Sequence, residues 1–137
     1  SYVNQVHKKF GLNVTGLGGA MMNDIEEFDI WLERDSVATV DEARKLLVQI
    51  TEGFIQKINA DEKIRPFLHD YPITSKNVKL HLCFKKASKG PADAGHVYLA
   101  SLLNGKIFYD AFNPIVLPKG NPFVLIAKET YEEAVAH

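Results

Sequence analysis

Between Val40 and Ala60 the side chains of Val40, Ala43, Leu47, Ile50, Phe54 and Ile58 recur at intervals of three and four. That spacing places them on one stripe of an α-helix. Thr39 and Glu42 stand three apart at its start, the spacing of a capping box. The pattern predicts a helix over 40–60. A helix with a single apolar stripe must bury it against another element, so the fold depends on what the rest of the chain offers.

The rest of the chain reads mostly as strands. Phe28, Ile30 and Leu32 alternate with Glu27, Asp29, Trp31 and Glu33 between Ile25 and Arg34, the two-residue period of a half-buried strand. Val78, Leu80, Leu82 and Phe84 alternate in the same way with Lys79, His81, Cys83 and Lys85. His96 to Leu103 and Lys106 to Phe112 flank Asn104-Gly105, the dipeptide that most readily takes the two positive φ angles of a tight hairpin turn. A further strand is expected over Phe123 to Ala127, and Thr130 with Glu133 repeats the capping-box spacing ahead of a short terminal helix.

Near the other end, Val3, Val6 and Phe10 form one stripe of a short helix over Tyr2 to Phe10 that Gly11 would stop. Gly11 to Thr15 reads as a strand, and Gly16-Leu17-Gly18-Gly19 as its hairpin connection to the strand at Ile25. Residues 61 to 76, punctuated by Arg65-Pro66 and Tyr71-Pro72, read as a packed and largely irregular connection. Lys86 to Gly95 reads as a loop. The expected order is α-β-β-α-β-β-β-β-α, with one helical crossover between the second and third strands. The fold class this implies is α+β: a mainly antiparallel sheet packed on one face by a long helix, with short N- and C-terminal helices. No internal repeat divides the 137 residues, so residues 1–137 are expected to form a single domain.

Composition narrows the function classes. With 46% hydrophobic and 24% charged residues the chain matches an ordinary globular protein. A formal net charge of −1 provides no global positive field, which argues against a nucleic-acid partner. The longest apolar run without glycine, Phe123 to Ala127, falls far short of the roughly 20 residues of a transmembrane helix. Cys83 is the only cysteine, so an intramolecular disulfide is impossible. Ser1 in place of an initiating Met is compatible either with a trimmed chain or with an exported protein whose leader has been removed.

Several constellations invite a chemical reading. Gly16 and Gly18 begin a GxGxxG pattern, but its third position is Met21, and no Walker-type Gly-Lys-Ser/Thr follows. His81 and Cys83 are two apart on a strand and share a face, where an imidazole can lower a thiol pKa. Same-face neighbours lie about 7 Å apart, however, and a free cysteine is most often a packing residue. His69-Asp70-Tyr71 sits in the connection after the long helix, where binding residues concentrate. Asn23, Asp24, Glu26 and Glu27 offer hard oxygen ligands without matching a calcium loop. The scattered histidines and lone cysteine supply no zinc pattern. Neither a metal nor another cofactor is expected.

Acids gather between Asp24 and Asp35, and lysines between Lys76 and Lys89. If the second and third strands are neighbours, Glu27, Asp29 and Glu33 face Lys79 and Lys85 in exposed cross-strand pairs. Trp31, on the polar side of its strand, then either lies beneath another element or anchors a partner.

The segment from Asn59 to Asn77, with Glu62-Lys63-Ile64-Arg65-Pro66-Phe67-Leu68, Tyr71-Pro72 and Lys76-Asn77, resembles one found in a family of small uncharacterised bacterial proteins. Met21-Met22-Asn23-Asp24 adds to the likeness, and together they cover under a quarter of the chain. The resemblance implies a bacterial source and brings no activity to particular residues.

The leading expectation is a non-catalytic binding or protein-interaction domain, using the sheet face around Trp31 or the 61–76 connection. The alternative is a small hydrolase or transferase with Cys83 as nucleophile and His81 or His69 as base. A third reading pairs an exposed strand edge with a second copy of the chain. The candidate site residues are Trp31, His69, Asp70, Tyr71, His81 and Cys83.

Overall fold

The computed structural model describes residues 13–21, 24–88, 96–113 and 120–137, and for 13–21 and 87–88 the backbone alone. It is an α+β fold built on one six-stranded sheet. The strands are β1 (Asn13–Met21), β2 (Ile25–Arg34), β3 (Val78–Phe84), β4 (Leu99–Leu103), β5 (Lys106–Phe112) and β6 (Phe123–Thr130). They lie side by side in chain order. Among the described residues two α-helices accompany them, α1 (Val40–Ala60) and α2 (Tyr131–Val135).

The sheet is mixed because of α1. A hairpin reverses the chain, whereas a helical crossover returns it to run the same way. β2 and β3, separated by α1, are therefore parallel, and every other neighbouring pair is antiparallel. The expected helix over Tyr2 to Phe10 lies outside the described residues, as does most of the loop over Lys86 to Gly95.

Local chemistry sets the element ends. Thr39 Oγ1 accepts from the Glu42 N–H while the Glu42 carboxylate accepts from the Thr39 N–H, closing the capping box of α1. Thr130 and Glu133 do the same for α2. Asn104 and Gly105 both take positive φ, +50° and +76°, and turn β4 into β5, as the hairpin signal requires.

The glycine-rich stretch departs from expectation. Gly16, Leu17, Gly18 and Gly19 are not a hairpin connection but the middle of β1, opposite Trp31, Ile30, Asp29 and Phe28 of β2. Register shifts at Val14/Gly16 and Ala20/Met21 flank them. Glycine inside a strand often marks such bulges, so composition alone misplaced the turn. β6 likewise runs on to Thr130, past the expected end at Ala127.

Residues directly opposite across a sheet share a face. Ile30, Leu80, Leu102 and Ile107 line up across β2 to β5, and Leu32, Leu82, Ala100 and Tyr109 form the next row. All eight are buried, and Ala43, Leu46, Leu47, Ile50 and Phe54 of α1 meet them in one core. A polar network lies within this layer. Glu129 Oε2 accepts from the Tyr109 hydroxyl at 2.6 Å and from Arg44 Nε at 2.7 Å. Burial, followed by the bond to Glu129, pushes the Tyr109 phenol well above its ordinary range.

Candidate functional site

The other face of the sheet carries Trp31, His81 and Cys83. The parallel register sets Trp31 directly opposite His81 and Glu33 opposite Cys83. The indole and imidazole stack, with ring centroids 3.8 Å apart and planes within 17°. His81 Nδ1 lies 3.2 Å from Ser101 Oγ on β4. The ring is thus held from above by Trp31 and from the side by Ser101, which is buried despite lying on the open face. Burial pushes the imidazole below its ordinary value, while the charge of Asp29 pulls the other way.

Cys83 stands beside this pair, and its hydrogen bond is with Tyr98. Burial pushes the thiol pKa up, an effect that the Tyr98 bond opposes. Tyr98 also belongs to an aromatic group: its ring stacks with Phe123 at 5.9 Å and meets Phe112 edge-on at 4.8 Å. Trp31, Glu33, His81, Cys83, Tyr98 and Phe123 line a hollow of about 270 Å³. Its floor is the sheet and its walls are largely aromatic.

The anticipated cross-strand charges form in part. Lys79 Nζ lies 3.2 Å from Glu27 and Lys85 Nζ 3.3 Å from Glu33. Asp29 lies directly opposite Lys79, and its Oδ1 is buried with no hydrogen-bond partner among the described residues. Asp110, opposite Leu99 on the same face, has its carboxyl pKa raised by burial.

His69, Asp70 and Tyr71 lie elsewhere. The connection returns to the start of β2, where Leu68 bridges Ile25 and the His69 N–H donates to the Ile25 carbonyl at 2.9 Å. Asn59 holds Ile73 through both main-chain groups, and Asn77 donates to Asp70 Oδ2 and to the Glu26 carbonyl. His69 Nδ1 is 2.9 Å from Asp24 Oδ2, and this bond raises the imidazole pKa. Ligand atoms of Asp24, Glu26 and His69 all fall within 4.8 Å of one another. The cluster is open to solvent, and its closest pair satisfies itself. Tyr71 lies under the Arg65 guanidinium, 4.5 Å from the ring centroid.

The structure therefore separates the six candidate residues into two groups. Six residue steps along β2 separate Ile25 from Trp31, about 20 Å of strand at 3.3 Å per residue. His69 is thus placed far from Cys83. His81 is close, but its hydrogen bond is with Ser101, and an activated thiolate requires a pKa shift opposite to the one burial imposes.

Tyr98, Ser101 and Phe123 were not anticipated as parts of the site. Their strands were readable in the sequence, but which rings meet depends on register across three strand pairs, and no local pattern carries that information. No family model, no curated protein and no solved structure matches the chain.

Proposed function

We propose that this chain is a non-catalytic binding domain that receives a protein partner on the open face of its sheet, around Trp31. The observation that carries the reading is the Trp31–His81 stack. A large aromatic side chain is held flat against a second ring, yet 47% of its surface remains exposed. An indole already fixed in place loses little freedom when a partner covers it, and tryptophan is enriched among residues that dominate interface energies. The hollow beside it, bounded by Tyr98 and Phe123, offers a pocket for an inserted side chain. The opposite face is already taken by α1.

The 61–76 connection is the weaker contact surface. Phe67 and Tyr71 are exposed there, but the Tyr71 ring already carries Arg65. The resemblance to small bacterial proteins supports a bacterial source for such a domain. The test compares capture by the intact chain with capture by Trp31→Ala, after circular dichroism has verified that both are folded. Partners held by the intact chain should be lost from the variant. Equal recovery of the same partners would remove Trp31 from the contact and end this reading.

A further inference from the structure

β6 is an outer strand of the sheet, and its first three residues break the rule that strand side chains are alternately covered. Phe123, Val124 and Leu125 are 41%, 46% and 51% exposed. Val124 lies opposite Ala111, which is buried on the helix side. Among the described residues, no helix covers either face of the sheet at this corner. A bulge opposite Tyr109/Asp110 follows Leu125, so strand pairing along this edge is limited to the stretch before it, and Lys128 meets only what continues past that pairing.

The hydrogen-bond pattern shows which main-chain groups point outward. The Asn113 N–H donates to the Pro122 carbonyl at 2.7 Å, so by antiparallel alternation Val124 bonds inward with Ala111, while Phe123 and Leu125 face away from β5. Asn121 Oδ1 accepts from the Phe123 N–H at 3.0 Å. The N–H and carbonyl of Leu125 thus stand at the outer edge, and no described strand pairs with them.

Charge adds a second requirement. Lys79 and Lys85 are paired with Glu27 and Glu33. Lys106 and Lys128 share the open face and line a hollow of about 250 Å³ with Phe108. The acids beside them are already engaged: Glu133 caps α2, and Glu129 is held by Tyr109 and Arg44. Lys128 is three residues from Leu125, roughly 10 Å along the strand.

We infer that the outer edge of β6 takes up an extended peptide segment as an added strand, apolar beside Phe123 to Leu125 and acidic beside Lys128. This inference rests on the interaction reading above and names its partner class. Main-chain bonds to Leu125 hold the segment, alternate apolar side chains cover the exposed ones, and a carboxylate meets Lys128 and Lys106.

The probes are two fluorescein-labelled octapeptides of alternating valine and threonine, one beginning and one ending in two glutamates, titrated into the full chain by anisotropy. One of them should bind saturably. Its binding should weaken about tenfold when alternate peptide nitrogens are methylated, because each lost main-chain bond leaves its partner unsatisfied. Lys128→Glu, or lysines in place of the glutamates, should weaken it several-fold, most strongly at low salt. Leu125→Pro should abolish it by removing the outward donor. N-methylation leaves the protein untouched and decides the matter if that variant does not fold.

No saturable binding by either peptide, or binding indifferent to N-methylation, overturns the inference. Dimers of the intact chain that disappear in Leu125→Pro would assign the edge to a second copy and overturn it as well. Loss of partner capture in Trp31→Ala alongside peptide failure would leave the open-face reading standing and the strand addition refuted.

Discussion

Replacing Glu129 by alanine is expected to cost about 3 kcal/mol of folding free energy, the sum of one orphaned hydroxyl and one lost charged hydrogen bond. Glu129 is 9% exposed and Arg44 14%, so solvent cannot restore what the carboxylate supplied. The Tyr109 hydroxyl lies within a fully buried residue, and leaving it without an acceptor costs roughly 1–3 kcal/mol. The Arg44 bond, between charged groups, contributes roughly 1.5–3 kcal/mol. Arg44 keeps Asp41 at 2.6 Å, which holds the total below the upper end for a buried ion left with no partner. Glu33→Ala is the comparator, because the Lys85–Glu33 pair is 51% and 31% exposed and such a pair contributes only about 0–1 kcal/mol. Urea unfolding followed by circular dichroism measures both, with an unchanged slope certifying that stability alone has moved. A Tyr109→Phe, Glu129→Ala double-mutant cycle isolates their coupling, expected near 1 kcal/mol or more. A Glu129→Ala variant no more costly than Glu33→Ala would mean that the buried network contributes nothing beyond an exposed ion pair.

The stacked pair gives an optical readout, since Trp31 is the only tryptophan. Its fluorescence should fall as His81 takes up a proton, with a midpoint below the ordinary histidine value, because burial disfavours the imidazolium. The unfolded chain then takes the proton first, so the His81 contribution to stability is present above the unfolded pKa and is lost as pH falls. A midpoint at or above the ordinary value, or a transition that survives in His81→Gln, would contradict the geometry. Alkylation of Cys83 by iodoacetamide should show a pH midpoint above that of an ordinary thiol, moving higher still in Tyr98→Phe, which loses the bond that favours thiolate. A depressed midpoint would revive the nucleophile. Leu47→Ala, at a fully buried position on α1, should cost about 3 kcal/mol in urea unfolding, whereas Thr39→Ala should cost about 1 kcal/mol through the lost cap.

Where structure follows from neighbours in the chain, the sequence was legible. The bounds of α1 follow from its stripe and capping box, the β4–β5 turn from Asn104-Gly105, and α2 from Thr130 and Glu133. The alternation along β2 and β3 assigned Trp31 and His81 to the polar sides of their strands. It could not assign them to one another. Their stack requires β2 and β3 to be adjacent and parallel with Trp31 opposite His81, and a slip of one residue would turn either side chain to the other face. The aromatic meeting of Tyr98, Phe112 and Phe123 is more remote still, being fixed by the pairing of β5 with β6. The glycine stretch failed for a different reason. Glycine signals freedom, and freedom serves a bulged strand as well as a turn.

Helix length helps decide where surface is left for a partner. At 21 residues α1 reaches about 30 Å, enough to cover the rows running from Ile30 and Leu32 to Ile107 and Tyr109. α2 has only five residues. Tyr131 and Ala134 bury themselves at the far end of β6, and the Tyr131 hydroxyl donates to Glu52 at 2.7 Å, tying α2 back to α1. Neither helix covers Val124, so that residue stays exposed although Ala111 beside it is buried. On the opposite face the Trp31 hollow reaches the same strand through Phe123. The uncovered edge and the aromatic face thus meet at one residue, and a partner seated against Trp31 would need to extend only past Phe123 to reach the outward main chain of Leu125.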